Sequence, residues 1–123
     1  MITEAIPTDW RVLQTEVARI LTECGFSVEI ERTLELVRGD AEIDAYAEEV
    51  NRGRRNVILC ECKLWTKRIP KGVVHAFRTT VADSGANVGY IVGASGFQSG
   101  ANEAARMTNV RLLTREAFLA TVA

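Results

Sequence analysis

One histidine, three cysteines and no long apolar run leave this 123-residue chain without several common functional signposts. The lone His75 has no partner acid or second ligand at a telling spacing, so it reads as a surface or helix-end residue. Cys24, Cys60 and Cys62 are odd in number and divided between a helix end and one strand face, which argues against a disulfide framework. Cys60-x-Cys62 lacks the second ligand pair that a zinc site needs, and small buried hydrophobes are the better reading of these thiols. No stretch approaches the ~20 apolar residues that span a bilayer. The amino terminus has no signal-peptide pattern, so the expectation is a cytoplasmic protein with no membrane association. Internal repeats, low-complexity tracts and interdomain linkers are missing, as is any helix-turn-helix or other base-reading module. With 47% apolar and 25% charged residues, the expectation is one soluble domain over residues 1–123.

A net charge of −1 says nothing about nucleic acid, but the distribution of charge does. Residues 29–49 carry eight acids against Arg32 and Arg38, whereas residues 51–78 carry eight bases against Glu61 alone. A basic segment of that kind can meet backbone phosphates. The plain alternative is a solvated face.

Periodicity gives helices alternating with strands. Trp10, Leu13, Val17, Ile20, Leu21 and Cys24 recur on one face of a helix entered at Thr8 and stopped at Gly25. Glu16 lies at the edge of that face, where an acid turns either into a site or into solvent. Residues 26–31 alternate as a half-exposed strand followed by a loop over 33–39. A helix over 73–82 buries Val74, Phe77 and Val81, and 86–93 forms a buried strand. Its exit, from Ala94 through Ser95 and Gln98 to Gly100, leads into a helix over 101–107. A short edge strand over 109–113 and a closing helix capped by Thr114 complete the chain. The glycines, hydroxyls and helix start at that exit suit either a phosphate contact or a tight turn.

The chemistry is concentrated in residues 43–63. Asp44 sits in an alternating strand that places Ile43, Ala45 and Ala47 on one face and Asp44 and Tyr46 on the other. After sixteen intervening residues, Glu61-Cys62-Lys63 closes the aliphatic run that begins at Asn56, which reads as a buried strand. A turn near 51–55 makes the two strands an antiparallel hairpin, across which Asp44 and Glu61 approach. Two carboxylates brought together stay ionised only with positive charge between them. A hard cation such as Mg2+, with oxygen ligands and several retained waters, is the usual answer. Lys63 points to the same side as Glu61 and can hold a phosphate oxygen or orient an attacking water. These are the parts of a phosphodiester hydrolase. Trp65, among Lys67, Arg68 and Lys71 in the following loop, either stacks on a nucleotide base or caps a core edge.

Asp44, Glu61-Cys62-Lys63 and the preceding helix with Glu16 resemble the PD-(D/E)xK nuclease superfamily, and within it the Mrr-like catalytic domain of type IV restriction endonucleases. The resemblance covers residues 10–113 and rests on order and spacing, since acid-x-Lys alone is common by chance. Ile43 stands where the superfamily name has proline, and Glu61 where many Mrr-like domains carry glutamine. The resemblance implies a restriction-endonuclease-like α/β/α sandwich with a central mixed β-sheet. It further implies a Mg2+-dependent DNA endonuclease in which Mn2+ can substitute. In such an enzyme Asp44 and Glu61 hold the metal, with the main-chain carbonyl of Cys62 as third ligand. Lys63 acts on the water, and Glu16 assists the metal site. Lys67, Arg68, Lys71, Ser95 and Gln98 are the expected DNA contacts. A separate DNA-targeting domain or subunit is implied, as is a homodimer where both strands are cut. The alternatives are a structure-specific nuclease like a Holliday-junction resolvase and a non-catalytic nucleic-acid-binding module of the same fold. Phe118, Leu119 and Val122 serve either an interface or the core.

Overall fold

The computed structural model describes residues 6–122, with side chains from Arg11 onward. Its elements are α1 (Ile6–Glu23), β1 (Ser27–Leu36), β2 (Gly39–Asn51), β3 (Arg54–Lys63), α2 (Lys71–Ser84), β4 (Val88–Gly93), α3 (Ser99–Ala105), β5 (Val110–Leu113) and α4 (Arg115–Val122). The strands form one sheet in the order β1-β2-β3-β4-β5. Connection length decides their direction. Two-residue turns join β1 to β2 and β2 to β3, which are therefore antiparallel neighbours; helices α2 and α3 cross between β3, β4 and β5, which pair in parallel. At the β2–β3 turn Arg52 and Gly53 both have positive φ, +55° and +81°, the handedness that matches the twist of a tight hairpin.

The two sheet faces carry separate cores. Tyr46, Val57, Leu59 and Ile91 pack with Val74, Phe77 and Val81 of α2 and Ala101 and Ala104 of α3. On the other side, Ala45, Ala47, Ile58, Cys60, Cys62 and Val92 meet Leu13, Val17, Ile20 and Leu21 of α1 and Phe118 of α4. The result is an α/β/α sandwich around a mixed sheet. Phe118 belongs to the core, its ring edge-on to Tyr90 at 5.7 Å between centroids. Leu119 and Val122 pack against the same cluster. Cys60 and Cys62 are buried as expected, but Cys24 is exposed and donates its thiol to the Val122 carbonyl. No helix among the described residues is long and apolar enough to cross a membrane.

Several expectations need correction. The helix begins at Ile6, ahead of Thr8, and the side chain of Trp10 lies outside the described set. Residues 33–39 are not a loop, because β1 continues to Leu36 and turns directly onto Gly39, whose φ of +126° suits glycine. The expected alternation in β2 also breaks at Asp44. Ile43 packs with Tyr46 in the α2–α3 core, while Ala45 lies in the opposite core. The pairing explains the break: Ile30 faces Ala45 and Arg32 faces Ile43, but the intervening Glu31 and Asp44 make no ladder pair. Glu31 has φ +52°, a left-handed conformation that costs a non-glycine residue energy.

Candidate active site

Asp44 is therefore a residue whose main chain has left the ladder, and buried backbone groups need other partners. Side chains supply them. The Asp44 N–H donates to Glu61 Oε1 at 3.4 Å, and the Asp44 carbonyl accepts from Gln14 Nε2 at 3.3 Å. Its carboxylate is fixed from β3, with Oδ2 accepting the Cys62 N–H at 2.7 Å. Since Ala45 pairs with Cys60, Glu61 stands across from Asp44, and the two acids share the corner where β3 ends. Lys63, the last residue of β3, holds Nζ 3.7 Å from Glu61 Oε2 and 5.5 Å from the centre of the Trp65 indole.

The electrostatics show a corner short of positive charge. Burial and the neighbouring Asp44 push the Glu61 carboxyl up to about 7, against smaller opposing effects of Lys63 and the Asp44 N–H. Burial also raises Asp44, with the Cys62 N–H and Lys63 acting the other way. Two acids thus share one ammonium. A cation between them would restore the balance. Among the described residues no cluster of three or more His, Cys, Asp or Glu side chains converges on one point. Two carboxylates and main-chain oxygen suit Mg2+, which is usually bound through one or two carboxylates while keeping several waters. The Cys62 thiol is not part of this donor set. It is buried in the α1–α4 core, and desolvation holds its proton far above the usual thiol range.

Glu16 stands apart from this corner. Its two oxygens accept from Arg115 Nε and the terminal guanidinium nitrogen at 2.7 and 2.8 Å, and that hydrogen bonding lowers its carboxyl below the usual value. The charges that act on Asp44 and Glu61 do not include it. Helix α1 instead reaches the site through Gln14, 2% exposed and the one buried polar side chain among the described residues. Sequence reading passed over Gln14. The available signal was a polar residue standing three and seven positions before Val17 and Leu21, within the apolar stripe.

The loops after β3 and β4 close over the same end of the sheet. The Ala94 N–H donates to the Lys63 carbonyl, Ile69 donates to Gly96, and Gln98 donates back to Ile69. Ser95 Oγ donates to the Trp65 carbonyl at 2.7 Å, so this hydroxyl braces the loop. Lys67, Arg68, Lys71 and Gln98 are exposed on these two loops and the start of α2. The eight-base segment does not all lie here. Arg52, Arg54 and Arg55 sit at the hairpin end, where Arg55 pairs with Glu48. Eight strand steps at about 3.3 Å separate Arg55 from Lys63, about 26 Å in all. Arg78 donates to the Ala104 carbonyl on the α2–α3 layer. His75 is exposed on α2, lining a cleft of about 540 Å³ with Arg38, Arg78 and Asn109.

Comparison with solved structures finds the same architecture. A protein of unknown function, AF1548, superposes with a TM-score of 0.67 at 21% identity, over 88% of this chain and 64% of that one. The DNA modification-dependent restriction endonuclease AspBHI gives 0.66 at 12% identity, over 94% of this chain and 31% of that one. The MspJI restriction endonuclease, solved in complex with a 27-mer oligonucleotide, gives 0.58 at 18% identity, over 97% of this chain and 29% of that one. The chain thus spans just under two thirds of the first and under a third of the other two. No curated protein matches it significantly. The Mrr_cat restriction endonuclease family model matches residues 7–122, nearly the whole chain with both acids, Lys63 and the loops around them, and the chain belongs to that restriction endonuclease family.

Proposed function

We propose that this chain is the catalytic domain of a Mg2+-dependent endonuclease that hydrolyses phosphodiester bonds in DNA, with Mn2+ able to substitute. The observation that carries the reading is the half-buried corner of Asp44, Glu61 and Lys63, in which burial and mutual repulsion leave two carboxyls wanting positive charge. Asp44 and Glu61 would hold the cation, with the Cys62 carbonyl as a third ligand by resemblance to the superfamily. The cation, when bound, supplies positive charge to the phosphate that is cut.

The chain's own groups do the rest. Lys63 offers N–H donors to the attacking water or to a phosphate oxygen, and Glu61 beside it keeps the ammonium turned toward the site. Gln14 and the Cys62 N–H hold Asp44 by its carbonyl and its carboxylate, which fixes the orientation of one ligand oxygen. Lys67, Arg68 and Lys71, exposed on the loop after β3 and at the start of α2, would meet phosphates flanking the scissile one, and Gln98 lies on the adjoining loop. Base recognition belongs to a targeting domain or subunit, a reading supported by the small share of AspBHI and MspJI that this chain spans. Double-strand cleavage would need a second copy.

Supercoiled plasmid and a branched-junction oligonucleotide, each with Mg2+, Mn2+ or EDTA, test the proposal against Asp44→Ala and Lys63→Ala. Metal-dependent cutting by the wild type is expected, with a loss of about a hundredfold or more in the lysine variant. Cutting of the junction alone would favour resolvase-like action. Full activity in Asp44→Ala would overturn the assignment, and DNA binding without turnover under any metal would make the domain a binding module.

A further inference from the structure

We infer that Trp65 is a positioning residue for Lys63, its indole forming the outer wall against which the ammonium is held. The catalytic consequence rests on the nuclease reading above; the placement of the lysine does not. A lysine side chain has about 2 kcal/mol of rotamer entropy to lose before its ammonium is fixed. Glu61 does not fix it alone, because 3.7 Å is longer than the 2.7–2.9 Å of a charge-assisted hydrogen bond. The indole supplies the second boundary. Its centre lies 5.5 Å from Nζ, inside the range in which a cation is drawn to an aromatic face.

The root of the indole is itself immobilised. Ser95 Oγ holds the Trp65 carbonyl, the Ala94 N–H holds the Lys63 carbonyl, and two further bonds join Ile69 to Gly96 and Gln98. The exit loop of β4 therefore holds the main chain from which the ring projects, and the ring bounds how far Lys63 swings. At 37% exposed, Trp65 keeps part of its indole open to solvent and belongs to neither core, so packing does not dictate its place. The residues that follow it, Thr66, Lys67 and Arg68, are exposed, and the ammonium of Lys63 lies over the ring.

The chain has three lysines, Lys63, Lys67 and Lys71, which makes the placement directly readable. In metal-free, lysine-labelled protein, the ε-methylene protons of Lys63 are expected upfield of the other two through the ring current. That displacement should vanish in Trp65→Ala and persist in Trp65→Phe. Single-turnover cleavage should fall by about threefold to tenfold in Trp65→Ala at unchanged DNA affinity, with partial recovery in Trp65→Phe. Ring-fluorinated tryptophan at this position should lower the rate in step with the loss of electron density, a dependence that a packing role would not produce. Three lysines with the same ε-proton positions in the wild type would overturn the inference. So would weakened DNA binding in Trp65→Ala with the cutting rate intact, which would make the indole a nucleic-acid contact. If the wild type cuts no DNA, the nuclease reading fails, and the lysine spectrum still decides the placement.

Discussion

Replacing Glu61 with glutamine should stabilise this protein at alkaline pH while removing its proposed activity. Glu61 keeps its proton up to about pH 7, whereas a glutamate of ordinary pKa, 4.5, has released it in the unfolded chain. Between those values the folded state holds the extra proton, so stability falls as pH rises through the window. The favourable share is complete below pH 4.5 and lost above pH 7. At about 1.4 kcal/mol for each pH unit of displacement, the buried charge costs about 3 kcal/mol at pH 8. Glu61→Gln carries an uncharged group of the same shape and escapes that cost. Asp44, raised by its own burial, remains in both proteins and tilts both curves alike.

Urea denaturation in EDTA, run from pH 4.5 to 8.5, reads the difference directly. The two proteins should be close in stability at the acid end and diverge until the variant leads by up to about 3 kcal/mol, or about 10 °C in Tm. Mg2+ added at pH 8 should then raise the wild type and leave the variant nearly unchanged, because a ligand that binds only the folded state stabilises in proportion to its affinity. Parallel curves across the whole range would refute the claim that burial strains Glu61. A metal response of equal size in both proteins would refute its place among the ligands.

Three other substitutions probe the surroundings. Gln14→Leu takes the donor from the Asp44 carbonyl in a buried place and should cost about 1–3 kcal/mol in urea denaturation, with slower cleavage; a change below about 0.5 kcal/mol would mean that the carbonyl has another donor. Gly89→Ala would place a Cβ 2.6 Å from both Phe77 and Val81, so α2 must shift off the sheet; a loss of about 1–3 kcal/mol is expected, and an unchanged Tm would show that α2 yields freely. Glu16→Gln weakens a surface pair with Arg115 in which the arginine is half exposed and the glutamate partly covered, and it should cost about 1 kcal/mol or less and leave cleavage within about threefold. A tenfold loss of cleavage would bring Glu16 back into the site.

The reach of sequence reading follows the range of the interactions involved. The β2–β3 hairpin, the buried face of α2 and the Thr114 cap were legible because each is a local pattern of period or turn chemistry. Asp44, Glu61 and Lys63 came together for the same reason, since hairpin register alone places the first two across from one another. Glu16 was placed by helical angle, which says that a side chain stands at the edge of a face but not which neighbour lies there. Arg115, 99 positions away, takes it. The basic segment failed differently: consecutive residues on a long strand share a charge pattern yet lie at opposite ends of the fold, so Arg52–Arg55 and Lys63 do not form one surface. The left-handed Glu31 carries no local signal of glycine or asparagine, and the break in β2 alternation was hidden with it.

That break and the position of the site have a common cause in the sheet. Strand β3 is where pairing changes from antiparallel with β2 to parallel with β4, so the end of β3 lies beside the end of β4 but beside an interior part of β2. Loops leaving β3 and β4 emerge together at that edge, while Asp44 arrives there from within a strand whose regular ladder would have committed its main chain to β1. The skipped Glu31–Asp44 pair frees that main chain. Its N–H then goes to Glu61 and its carbonyl to Gln14, which ties α1, β2 and β3 to one residue. The energetic cost falls on Glu31, held left-handed on the edge strand and exposed to water, where strain of about 1–3 kcal/mol is tolerated more readily than an unpaired buried carbonyl. A regular strand would remove that strain, but it would leave Gln14 buried without its acceptor and the Asp44 carboxylate without its present anchorage.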